Sequence, residues 1–159
     1  MSFAIELSPE TTEDPESGYP SRLGRIVLDS FSEEFLSAAT YWDREDYFAH
    51  WRQGLGRVLA GEGQSCLVTS LHDPKDSHLL FRWVMYREGK TVYFQNGILF
   101  FEQIDAPFDP DNPFASIPIR RTTDVDGVAI SEWAIDLAEI EEFVGSDALG
   151  RGVSWRPHF

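Results

Sequence analysis

The amino-acid sequence predicts an α+β fold: an antiparallel sheet of about five or six strands, one major amphipathic helix packed on a face of it, and a short acidic C-terminal helix. Three observations carry this expectation. Apolar side chains recur every three to four residues over 44–59. Aromatic and β-branched runs alternate with turn signals over 65–101. Over 136–144, Leu137, Ile140 and Val144 share one face while Glu139, Glu141 and Glu142 fall largely outside it. The 159 residues are the size of one ordinary domain, expected to span 1–159 with a polar loop at 9–21 and an irregular tail at 145–159.

Residues 2–7 alternate weakly and suit a first strand; Pro9 to Ser21 is polar and rich in Pro and Glu, hence a loop. Gly24 to Leu28 reads as a short strand, and Phe31, Phe35 and Leu36 as inward anchors in a mixed stretch. The helix over 44–59 has Asp43 as its cap, Glu45 and Asp46 in its first turn, an apolar face of Tyr47, Trp51, Leu55, Val58 and Leu59, and Gly61 as its stop. Gly54 and Gly56 inside it each cost about 1 kcal/mol relative to Ala, so the helix either packs closely or bends there.

Ser65–Ser70 and Leu79–Tyr86 read as strands about a turn at Pro74. Glu88-Gly89 and Asn96-Gly97 then predict a three-stranded meander, with a tight turn of positive φ at Asn96-Gly97 between runs 91–95 and 98–101. Four prolines make 105–118 an irregular loop that Phe108, Phe114 and Ile117 pin to the core. A further hairpin is expected from 119–123 and 128–133 about Asp126-Gly127, and Trp155 is expected to tack the tail to the body.

Charge narrows the function. With 27 acidic residues against 13 Lys and Arg, the net charge is −14. Residues 102–147 hold twelve carboxylates and only Arg120 and Arg121, a net of −10. Such a surface repels phosphates, which disfavours direct nucleic-acid or anionic-membrane binding. The excess would serve solubility alone, but self-repulsion of this size also suits a cationic macromolecular partner that relieves it. The sequence has no long apolar run and no basic-then-apolar start, and Cys66 is its one cysteine; all three fit the cytoplasm.

No catalytic, cofactor or metal residues are expected. His72, Asp73, Asp76 and His78 lie within seven residues but match no closed coordination shell. Cys66 sits in an apolar run, where a thiol is core filler. The glycine pairs 54/56 and 61/63 lack the Lys-Ser or Lys-Thr of a phosphate loop, and Asp124-Val125-Asp126-Gly127 is only a fragment of a calcium loop. Carboxylate pairs such as Glu33-Glu34 and Glu141-Glu142 leave open a small carboxylate-dependent hydrolase, and the acidity an adaptor protein.

One ordered series remains: Tyr41-Trp42-Asp43, Asp46-Tyr47 before His50-Trp51, Gly61-Glu62 ahead of a run ending Thr69-Ser70, Tyr86-Arg87-Glu88-Gly89 leading to Gln95-Asn96, and Ile130-Ser131-Glu132-Trp133. Over most of residues 3–135 it resembles the immunity proteins of bacterial contact-dependent growth inhibition systems. The resemblance implies a cytoplasmic protein that binds and inactivates a toxin domain delivered by neighbouring cells, often a nuclease, and it carries over no toxin-binding residue. Charge supplies the candidate contacts. A nuclease must attract phosphates and is commonly basic, so the expected partner is a basic toxin domain bound 1:1 through Asp105, Asp109, Asp111, Glu139, Glu141 and Glu142.

Overall fold

The structure, a computed structural model, describes residues 2–150. The single sheet expected from the sequence is replaced by two separate antiparallel sheets of four strands each. In the first, β3 (Pro20–Leu28) is central. It pairs with β4 (Phe31–Ala38) along its length, with β1 (Phe3–Leu7) over 24–28, and with the two-residue β2 (Thr12–Glu13) at its start. The second sheet runs in the order β5 (Gln64–Ser70), β6 (Leu79–Glu88), β7 (Thr91–Phe100), β8 (Trp133–Asp136).

The sheets stay separate because β4 and β5 meet through side chains and not through a backbone ladder. Ser37 Oγ donates to the Thr69 carbonyl, and the Ala38 N–H donates to Ser70 Oγ at 3.1 Å. The mixed pattern over 29–40 reflects the uneven burial of β4: Ser37 and Ala38 are enclosed, while Ser32 and Glu34 are exposed. A two-residue turn at Asp29-Ser30, with φ 58° at Asp29, links it to β3.

The Asn96-Gly97 turn is a second correction. β7 is one uninterrupted strand whose pairing with β6 runs from Glu88↔Thr91 to Leu79↔Phe100, with Asn96 opposite Trp83 and Gly97 opposite Arg82. The turn lies at Gly89, φ 64°. A continuous partner strand has overridden the local turn signal. Over 119–133 the chain reverses at Asp126-Gly127 as expected, with Gly127 at φ 80°, but the hairpin shrinks to one antiparallel bridge, Thr123↔Ala129, with the Asp124 N–H donating to the Val128 carbonyl and the Ile130 N–H to the Thr122 carbonyl; the flanking runs form no strands. The expectation for Trp155 lies outside the described residues, as does the tail from 151.

Helix α1 (Arg44–Leu59) matches its expected bounds, and Asp43 closes a reciprocal capping box with Asp46. It lies against β5, the edge strand of the second sheet. Helix α2 (Leu137–Gly145) packs Ile140 and Phe143 against α1 and β1. One core fills the space between the sheets and helices, where Phe3 stacks on Phe94 at 5.4 Å and Phe31 on Trp133 at 4.3 Å. A second core, with Cys66, Val68, Val84, Tyr86 and Leu99, covers the opposite face of the second sheet under the loop bearing Phe108, Phe114 and Ile117. Arg82, itself buried, fixes that loop by donating to Ser116 Oγ and the Ser116 carbonyl at 3.0 and 3.2 Å.

The two helix glycines differ in kind. A Cβ on Gly54 would stand 2.4 Å from the Cys66 carbonyl oxygen, whereas one on Gly56 would meet nothing within 4 Å. Gly54→Ala should therefore lose about 1–3 kcal/mol through overpacking against backbone, and Gly56→Ala gain about 0.5–1 kcal/mol. Denaturant melts measure both; equal midpoints for Gly54→Ala and wild type would contradict the close seat of α1 on β5.

Candidate partner-binding surfaces

The titratable groups buried in the interior serve the fold. β5 pairs with β6 on one side only, and α1 satisfies its other edge: the Val68 N–H donates to His50 Nε2 at 2.7 Å, and Trp51 Nε1 donates to the Val68 carbonyl at 2.7 Å. Tyr47 Oη donates to the Ala38 carbonyl at 2.7 Å and accepts from the Leu71 N–H at 3.1 Å, tying both sheets to the helix. Burial pushes the His50 imidazole down to about 3. The ring is neutral, with Nε2 as acceptor. Burial also pushes the Cys66 thiol up to about 12, so it stays protonated and is no nucleophile. Among the described residues no three His, Cys, Asp or Glu side chains converge as metal ligands.

The acidic residues singled out in the sequence fall into two groups that the fold keeps apart. Glu139, Glu141 and Glu142 ride on α2, with Glu141 and Glu142 exposed and Glu139 half-buried. Asp105, Asp109 and Asp111 are exposed on the loop over the far face of the second sheet, where Phe101 and Phe108 stack at 5.0 Å. Asp111 acquires neighbours that the sequence did not suggest: the Tyr41 hydroxyl is raised by partial burial first, then by Asp73, Asp111 and Asp46. Carboxylates from three chain segments thus act on the half-exposed Tyr41.

Of the two arginines in the acidic segment, Arg120 is neutralised in place. Its Nε and Nη2 donate to both oxygens of Glu132, at 2.9 and 2.5 Å, its Nη1 to Glu88 at 3.1 Å, and its guanidinium lies 3.9 Å over the Tyr93 ring. The Arg120 hydrogen bond holds the Glu132 carboxyl below the usual range.

A third surface has no single sequence signal. Where the sheets part, a groove of about 820 Å³ lies between the β3–β4 side and the β6–β7 side. Leu23 from β3 and the registered pair Phe81 and Ile98 from β6 and β7 are 46, 45 and 47 % exposed along it. Asp14, Glu16, Glu33 and Glu34 supply its carboxylates, and no Lys or Arg among the described residues lines it. Asn96 Nδ2 donates across it to Glu33 at 3.3 Å. Assembling it requires residues 14 to 98, which explains why no local motif announces it.

The exposed surface of the described residues combines carboxylates with half-exposed apolar side chains, the makeup of a protein-binding surface. The CdiI N-terminal domain family matches residues 37–143. The immunity protein CdiI of Enterobacter cloacae subsp. cloacae is 37 % identical over 121 residues, 76 % of this chain and 83 % of that protein. A chain of the CdiA-CT/CdiI toxin and immunity complex from Enterobacter cloacae superposes with a TM-score of 0.82 at 34 % identity, over 91 % of this chain and 97 % of that one. The chain belongs to the CdiI family of immunity proteins of contact-dependent growth inhibition, which act by binding and not by catalysis. No helix among the described residues is long and apolar enough to cross a membrane.

His50 gives this architecture a pH signature. Because its folded pKa is depressed below 6.5, its contribution is full above pH 6.5 and is lost as pH falls toward 3, when the unfolded chain takes up a proton that the folded chain refuses. Wild type should lose about 1.4 kcal/mol per pH unit more than His50→Gln between pH 6 and 4. Urea melts at pH 7.5, 6, 5 and 4 read the difference; parallel slopes for the two proteins would contradict a buried neutral imidazole.

Proposed function

We propose that this protein acts in the cytoplasm, where it binds a cognate CdiA-CT toxin domain 1:1 and so neutralises it, and that the toxin is a basic nuclease. The observation that carries this reading is the likeness, over nearly the whole chain, to a protein solved in a toxin–immunity complex. The net charge of −14 supports the basic partner: an enzyme that attracts phosphates presents a positive field, and complementary fields accelerate encounter. Stoichiometric inhibition requires no chemistry from the inhibitor, and the inert Cys66 and neutral His50 are consistent with that.

In this reading Glu139, Glu141 and Glu142 on α2 steer the toxin during encounter, and Asp105, Asp109 and Asp111 with the Tyr41 cluster form the second acidic surface. The two groups sit on opposite sides of the second sheet, so their shared action is through the long-range field and not through one contact patch.

Light scattering on the mixture of purified protein and its cognate CdiA-CT domain should give a 1:1 mass, with the toxin's nucleic-acid cleavage abolished at equimolar protein. Separate elution, or cleavage that persists in excess protein, would overturn the reading. For steering, the triple change of Glu139, Glu141 and Glu142 to Gln should lower the association rate about threefold to tenfold at 50 mM salt, flatten its salt dependence, and leave dissociation within about twofold. Stopped-flow traces at about 50 and 300 mM salt check this. An unchanged association rate at both would remove α2 from the encounter surface.

A further inference from the structure

Resting on that reading, we infer that the groove between the β3–β4 and β6–β7 ends is the docking site for a cationic segment of the toxin, which inserts an apolar side chain between Leu23 and the Phe81–Ile98 pair and sets Lys or Arg against the carboxylates of Glu33, Glu34 and Glu16.

The three apolar residues are the first argument. Phe81 and Ile98 face each other in register on adjacent strands, on the same side of the second sheet as the buried Trp83 and Phe94. They are about half exposed, whereas Trp83 and Phe94 further along that face are enclosed; Asn96 and Phe100 beside Ile98 are exposed as well. Apolar surface that continues a core and ends in an open groove gains most from a partner that completes it.

Charge selects the occupant. Four carboxylates flank the groove, and no Lys or Arg among the described residues lines it to offset them. The neighbouring cleft beside β1 shares Leu23 and Glu34 with the groove but is also lined by Arg25 and Arg44, and it holds no pair comparable to Phe81 and Ile98. A second copy of this acidic chain would bring like charge to the rim, whereas a basic partner relieves it. The arrangement, an apolar anchor site inside a charged rim, is that of an interface centre in which the rim excludes water and fixes register.

The decisive experiment measures association and dissociation of the cognate CdiA-CT domain with full-length wild type, Ile98→Lys and Glu16→Lys, each first matched to wild type by thermal melt. Ile98 is half exposed and Glu16 lies in the loop before β3, so at least the second substitution leaves the sheets intact. Ile98→Lys should weaken binding at least 100-fold, chiefly by faster dissociation, and Glu16→Lys about tenfold. If wild type binds and both variants bind as wild type does, the groove is not the docking site although the proposed function stands. If wild type itself does not bind, the proposed function and the docking site fall together. One further result would overturn the docking site alone: self-association of free protein that Ile98→Lys abolishes, with toxin binding unchanged, would give the groove to a second copy.

Discussion

Val68 has its N–H bound to His50 and its carbonyl bound to Trp51, and the relation between the two sheets depends on that double clasp. An edge strand normally offers unpaired backbone groups to any other strand. Here adjacent residues of α1 take them, and the carbonyl of Cys66, two residues earlier, comes so close to the helix that only glycine fits at position 54. Tyr47, one turn earlier, extends the same helix face to Ala38 of β4 and to Leu71 after β5. The helix therefore replaces the ladder that would have merged β4 and β5 into one sheet.

Two consequences reach the surface. Because the sheets are held by a helix and by hydroxyl contacts at Ser37 and Ser70, they are free to diverge, and the groove opens where they do. His50, Trp51 and Tyr47 are committed to this clasp, and the groups exposed to a partner are carboxylates, the half-exposed Tyr41 and the apolar residues of the groove. In the proposed complex, field and shape divide the labour of recognition. The charge acts at distances near a Debye length of roughly 8 Å, and the groove acts only on contact.

Much of the local structure was legible in the sequence. The bounds of α1 followed from its period, its Asp43 cap and the Gly61 stop, and the close seat at Gly54 was one of two readings its position allowed. What the sequence hid was pairing. Asn96-Gly97 carries a turn signal, yet Trp83 and Arg82 lie opposite and hold it in a strand. Ser37, Thr69 and Ser70 are small and polar, and only their burial reveals that they join the two sheets. The candidate surface was partly legible for the same reason. Net charge and its concentration in 102–147 can be read off directly, whereas Asp46, Asp73 and Asp111 cluster only in space, and Leu23, Phe81 and Ile98 resemble ordinary core positions until the fold leaves them uncovered.

The account's central claim is that a helix-clasped pair of diverging sheets presents the groove to a basic toxin, while the acidic residues elsewhere act at a distance. Hydrogen–deuterium exchange of the protein, free and saturated with its cognate CdiA-CT domain, tests this most directly. The account predicts new protection over 14–16, 33–36 and 96–98 on complex formation, with little change over 105–111 and 139–142. Protection confined to those two acidic stretches, with the groove segments exchanging as in the free protein, would contradict it.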